Sequence, residues 1–243
     1  MNILAFEAAT HRLSVALWCD GILAEKSALV PNGGSERLLP WANELLAEAG
    51  LSLKQLDGLA FGAGPGGFTG LRLACGVTQG LAFGLGIPVV PVCTLAALAF
   101  GAGDGRILAC LDARMNEVYV AAYAVSGETV EEIMAPKVGA ASSGRFRPDG
   151  LPAGETAPLP EGDGWRGVGD GFAVYGEALR RRMGARLVVA DASLMPTATA
   201  VARLAAPVLL RGAGVPAAQA LPLYVRDKVA LTTAERLARG GSK

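Results

Sequence analysis

Histidine is nearly absent from this chain: His11 is the only one in 243 residues. That count excludes HExxH and HxxxH metal sites and any mechanism needing two imidazoles. A Ser-His-Asp triad would have to use His11, beside Arg12 near the chain start. No nucleophile–base pair accompanies it. Charged residues make up only 18%, and 22 Lys+Arg balance 22 Asp+Glu. A self-sufficient nucleic-acid binder carries a basic excess, which is missing here. Aromatics, at 6%, are too few for a platform that stacks single-stranded bases. The four cysteines, Cys19, Cys75, Cys93 and Cys110, form no CxxC pair and lie in apolar runs. They read as buried, reduced thiols of a cytoplasmic protein. No Lys or Arg precedes the first apolar run and Glu7 interrupts it, so no signal peptide is expected.

What is present is apolar surface. Hydrophobic residues reach 51%, which excludes disorder and promises a core that needs neither disulfides nor metal. The length fits one large domain or two small lobes. The 33 glycines and 14 prolines follow no G-X-Y period, so collagen is excluded. Residues 73–103 contain no Asp, Glu, Lys, Arg or His, a run long enough to span a bilayer. Pro88 and Pro91 break it, and Gly76, Gly80, Gly84 and Gly86 recur before them. It reads better as helix, buried strand and helix, with no membrane span.

Periodicity supplies the element order. Residues 2–8 read as a buried strand, and 13–19 and 22–30 as a hairpin around Asp20-Gly21. Pro31 to Gly34 is loop. Ser35 reads as the N-cap of a helix over 36–49 with the apolar stripe Leu38, Leu39, Ala42, Leu45, Leu46 and Ala49. A strand near 57–62, a glycine-rich turn, a helix over 71–85, a strand over 88–92 and a helix over 94–101 follow. A second half starts alike, with strands over 106–113, 117–126 and 128–135. Residues 143–171 read as a long Gly/Pro-rich loop. Helix 172–183, strand 186–190 and a helix over 197–206 halted by Pro207 come next. Residues 220–229 read as a short docking segment. These boundaries predict a first lobe over 1–102, with 207–243 docking back on it, and a second lobe over 103–206.

Chemistry-bearing patterns are few. The loop Gly62-Ala63-Gly64-Pro65-Gly66-Gly67 satisfies GxGxxG between a strand and a helix. No acid follows at the spacing that holds a ribose, and Phe68-Thr69 stand where a Walker loop needs Lys and Ser/Thr. Two uses stay open. The glycines either allow close packing, or Gly64, Gly66, Gly67, Thr69 and Arg72 contact an anion or partner at the helix start. Helix 71–85 is apolar nearly all round. Gly76, Gly80 and Gly84, flanked by Leu73 and Val77, form a flat track that packs either inside the monomer or against another subunit. Glu7 and Asp112 are strand-end carboxylates, a weak signal. Arg180-Arg181-Arg182 ends a helix, where the dipole favours it, and reads as a solvated face or an RNA contact.

Five segments carry a resemblance to a known family: 3–17 (ILAFEAATHRLSVAL), 35–46 (SERLLPWANELL), 62–89 (GAGPGGFTGLRLACGVTQGLAFGLGIPV), 111–123 (LDARMNEVYVAAY) and 220–230 (ALPLYVRDKVA). GPGGFTGLR and DARMNEVY are specific in combination. The sequence resembles the TsaB (YeaZ) family. The resemblance implies a two-lobed actin/Hsp70/sugar-kinase-like (ASKHA) α/β fold with duplicated βββα-type halves. It implies a non-catalytic, cytoplasmic subunit for the threonylcarbamoyladenosine (t6A) modification of tRNA. The homologous TsaD subunit would carry the transfer chemistry, and the ATPase TsaE would join the pair. ATP/ADP and metal are expected in the partner subunits, with none held tightly by this chain. The two helices of the first half, through Leu38, Leu39, Ala42, Leu45, Leu46, Leu73, Gly76, Val77, Gly80 and Gly84, would meet a matching pair on TsaD. A homodimer could use the same surface, and tRNA would be reached through the complex. The family's usual Asp-Thr after the first strand is replaced by Glu7-Ala8, and its His before Ser-Glu by Gly34. A small, stand-alone sugar-kinase-like ATP-binding enzyme is the alternative.

Overall fold

The computed structural model describes residues 1–30, 34–142 and 155–226. The loop expected at 31–33, most of the first part of the expected 143–171 loop, and the tail beyond 226 lie outside the described residues.

The first half opens on three antiparallel strands, β1 (Asn2–Glu7), β2 (Arg12–Cys19) and β3 (Ile22–Leu29). Cys19 pairs with Ile22 across Asp20-Gly21. Both turn residues have positive φ, 46° and 87°. A two-residue turn of this hand matches the twist of the strands it joins. Helix α1 (Ser35–Glu48), strand β4 (Gly58–Gly64), helix α2 (Phe68–Leu85), strand β5 (Val89–Cys93) and helix α3 (Thr94–Gly101) follow. The sheet order is β3-β2-β1-β4-β5, with β4 parallel to β1 and β5 parallel to β4.

The second half repeats this plan. Strands β6 (Gly105–Asp112), β7 (Glu117–Ser126) and β8 (Thr129–Ala140) are antiparallel. Strand β9 (Trp165–Val168), helix α4 (Gly171–Met183), strand β10 (Leu187–Asp191) and helix α5 (Ala198–Leu210) complete it. Its order is β10-β9-β6-β7-β8, with β9 parallel to β6 and β10 parallel to β9.

Strand alternation sorts the core. Leu4 and Phe6 of β1 face α1 and α2, whereas Ile3 and Ala5 face α5. Leu108 and Cys110 of β6 face α4, whereas Ile107 and Ala109 face α3. Helices α3 and α5 therefore lie between the two sheets. Ala97 and Phe100 of α3 share a cluster with Val201 and Ala205 of α5.

Several expectations need correction. Helix α5 packs on the first sheet, so that lobe recruits chain from Ala198 rather than from 207. Pro207 does not halt α5, which runs on to Leu210. Proline removes one hydrogen bond there, and the buried Ala-Val face of α5 outweighs it. Ser35 is the first helical residue, not the cap. The cap is Gly34 at φ 91°, a conformation open to glycine. Helix α2 begins at Phe68, three residues earlier than the glycines let periodicity indicate. Strand β9 lies in what reads as loop. Trp165 at 0% exposure anchors it. Cys75 and Cys110 are buried, but Cys19 and Cys93 are only half-buried; all four are free.

Candidate functional site

Helix α1 spends its apolar stripe on its own sheet. Leu38, Ala42, Leu45 and Leu46 are exposed by only 0–3% and pack with Leu13, Val15 and Leu17. They are core residues, and their expected role as a partner surface is corrected on that ground. Leu39, at 46% exposure, points outward, and Ala49 at the end of the stripe is exposed as well.

Helix α2 divides differently. Leu71, Ala74, Cys75, Thr78 and Ala82 are buried. On the other side Gly76, Gly80 and Gly84 are exposed, and Leu73 and Val77 are half-buried. A β-carbon at any of these three glycines would meet no neighbour within 4 Å among the described residues. Among the described residues the track is thus an open surface on which nothing packs. Phe83, one turn on from Gly80, is 84% exposed. Sequence reading missed Phe83. Its spacing from Gly76 and Gly80 is the signal that could have found it.

The glycines before α2 are explained by packing. Gly67 N–H donates to Ala9 O at 2.7 Å. A β-carbon on Gly66 would lie 2.5 Å from the same oxygen, and one on Gly64 would lie 2.8 Å from Leu223 O. One on Gly70 would overlap Ala8 O. The loop is clamped onto the Ala8-Ala9 turn. Arg72 stacks 3.6 Å from the Phe68 ring centroid and donates to Tyr224 Oη at 3.2 Å. It ties α2 to the strap of residues 220–226. That strap also accepts from Gln79 at Ala220 O (2.9 Å) and donates from Leu223 N–H to Ala63 O (2.7 Å).

A cleft of about 770 Å³ opens between the halves, within the range of small-molecule sites. Thr69 and His11 line one wall; Asp112, Arg114, Met115 and Asp170 line the other. Arg114, Met115 and Asn116 all have positive φ, 56–62°. Three consecutive non-glycine residues in that region store strain. The Asp112 carboxylate is already engaged. It accepts from Arg114 N–H at 2.8 Å and from Tyr175 Oη at 3.3 Å, and pairs with the Arg114 guanidinium at 3.1 Å. Asp170 accepts from Asp112 N–H at 2.9 Å. Burial pushes its carboxyl up, partly offset by that hydrogen bond.

Glu7 does not line the cleft. It is fully buried, and its Oε1 accepts from Ala9 N–H at 2.7 Å while Oε2 has no partner within hydrogen-bond distance among the described residues. Burial pushes its carboxyl up to about 7. Ala9 N–H is therefore occupied from behind and does not point freely into the cleft.

The arginine run divides between structure and solvent, with Arg180 and Arg181 exposed and Arg182 half-buried. Arg182 donates to Ala140, Ala141 and Ala157 carbonyls, and Arg181 pairs with Glu177. No group of three or more metal-ligating side chains occurs among the described residues. No helix there is long and apolar enough to cross a membrane.

The family model described as TsaD: tRNA N6-adenosine threonylcarbamoyltransferase matches residues 30–234. The Escherichia coli (strain K12) protein named tRNA threonylcarbamoyladenosine biosynthesis protein TsaB is 35% identical over 241 residues, 95% of this chain and 96% of its own length. This chain belongs to the TsaB family. Two solved Pseudomonas aeruginosa structures agree. One, described as similar to peptidase YEAZ, is 38% identical with a TM-score of 0.79, covering 93% of this chain and 99% of its own. The other, named YeaZ, is 39% identical with a TM-score of 0.77, covering 92% and 99%. With the repeated five-stranded sheets, the TsaB relationship gives the chain the two-lobed actin/Hsp70/sugar-kinase-like fold.

Proposed function

We propose that this chain is a non-catalytic subunit of a complex that makes t6A in tRNA. It binds and supports a TsaD-type catalytic subunit, in the cytoplasm and together with a TsaE-type ATPase. The names borne by its relatives support the pathway. The observation that carries the role is the outer face of α2: glycines 76, 80 and 84 bare, with Leu73, Val77 and the 84% exposed Phe83 beside them. A helix with small residues in a row lets a second helix approach closely, and the flanking apolar side chains gain by being covered. The same surface can pair with a second copy, since a two-fold contact needs only self-complementarity. A zero net charge supplies little counterion-release drive, so tRNA is reached through the complex.

ATP, ADP and metal belong to the partners in this reading. Glu7 turns away from the cleft and consumes Ala9 N–H, and Asp112 is already paired. These contacts weigh against a phosphate and metal seat here. The cleft volume favours the second reading, a stand-alone sugar-kinase-like enzyme. One experiment separates them: ATP turnover by the purified chain, alone and with the organism's TsaD and TsaE. The proposal expects no turnover alone and t6A formation only in the mixture. Steady turnover by the chain alone supports the kinase-like enzyme instead.

A further inference from the structure

The β1–β2 turn rests on a carboxyl group that has room only because a glycine faces it. A β-carbon on Gly62 would overlap Glu7 Oε2. That oxygen is buried and unpartnered, while Oε1 holds Ala9 N–H. The next two residues are the seat of α2. Ala8 O abuts Gly70, and Ala9 O accepts from Gly67 N–H. Every element around the carboxyl offers neutral groups: Ser14 opposite it on β2, Gly62 on β4, Thr94 at the start of α3, and the turn itself. The Ala9 and Ala8 N–H groups and the Thr94 hydroxyl, which itself accepts from Gly64 N–H at 3.1 Å, oppose the upward shift by hydrogen bonding. No charged group contributes to the shift.

We propose that Glu7 is a proton-controlled latch beneath the first turn of α2. Neutral, it lets the Ala8-Ala9 turn close on the glycine loop. On losing its Oε2 proton to solvent it becomes a buried anion with neutral hydrogen-bond donors beside it and no counter-charge. Water can reach it once the turn lifts off Gly66, Gly67 and Gly70, so ionisation loosens the start of α2. A buried charge left unpaired is costly enough to drive such an opening. The latch stands on this chain alone and does not depend on which partner α2 meets.

The test is backbone amide exchange on the full chain, corrected for intrinsic rates, with the Gly67 amide as the reporter. Titration near pH 7 implies that Gly67 protection falls about tenfold between pH 6 and pH 8. In Glu7→Gln it stays level over that range. If the wild-type protection is flat, or falls equally in Glu7→Gln, the latch is wrong. Should Glu7→Gln fail to fold, the wild-type Glu7 side-chain carboxyl is followed by carbon NMR. A midpoint near 7 with a parallel shift of the Gly67 amide supports the latch. A midpoint in the ordinary glutamate range, or a Gly67 amide that ignores the titration, overturns it.

Discussion

Glu7 and Gly62 are a matched pair on neighbouring strands: the carboxyl of one fills the space that a β-carbon on the other would need. The glutamate at the end of β1 fits because the facing residue on β4 carries no side chain. The sign of its effect on stability follows from burial. The folded-state carboxyl is raised from 4.5 to about 7. A raised acid contributes stability that is fully present below pH 4.5 and is lost as the pH climbs through 7. The shift amounts to roughly 3 kcal/mol at most. Asp170 shifts in the same direction, so Glu7→Gln flattens the profile without abolishing it. Urea denaturation at pH 5 and pH 8 on both proteins checks this. An equal decline in wild type and Glu7→Gln would count against it.

Adjacent leucines on α1 have opposite fates. Leu38 is fully buried and Leu39 is 46% exposed. Leu38→Ala is expected to cost about 2–5 kcal/mol as a core truncation. Leu39→Ala is expected to stay within about 0.5 kcal/mol in the isolated chain. Denaturation midpoints of the two variants decide it, and equal losses would mean that α1 is not seated as described.

Two glycines of α2 should respond oppositely to alanine. At Gly70 the new β-carbon overlaps Ala8 O, whereas at Gly76 it meets nothing among the described residues. Gly70→Ala is expected to destabilise by about 1–3 kcal/mol through overpacking. Gly76→Ala is expected to stabilise by up to about 1 kcal/mol through helix propensity. Thermal melts of both variants are the check. Tolerance of Gly70→Ala would show that the loop is not clamped on the turn.

The hairpin at Asp20-Gly21, strand β7 and the repeated strand order were legible because turn chemistry and period-two alternation are local signals. The interface was only half legible. An apolar stripe on α1 records burial without recording what buries it, and here the cover is β2 of the same chain. On α2 both faces are apolar, and the sheet takes one of them. The swap of α5 onto the first sheet involves residues nearly 200 positions apart, beyond any window of periodicity. The burial of Glu7 was hidden for a similar reason, since it depends on Gly62 across a parallel pair. The glycine loop looked like a ligand motif because close backbone approach demands glycine whether the neighbour is a phosphate or Ala9 O.

The central claim is that the outer face of α2 is a docking surface, and Gly80 tests it most directly. Its β-carbon position is open among the described residues, so Gly80→Leu is expected to leave the monomer folded with its melting temperature unchanged or slightly higher. In a close helix–helix contact the same side chain intrudes by several methylenes, costing about 1–3 kcal/mol or more. The measurement is titration of the organism's TsaD with wild type and Gly80→Leu, with a thermal melt of each chain. The account predicts a dissociation constant raised by about fivefold or more, an equal weakening of any homodimer, and an intact melt. A wild-type chain that does not bind TsaD, or a Gly80→Leu chain that binds it with an unchanged constant, would contradict it.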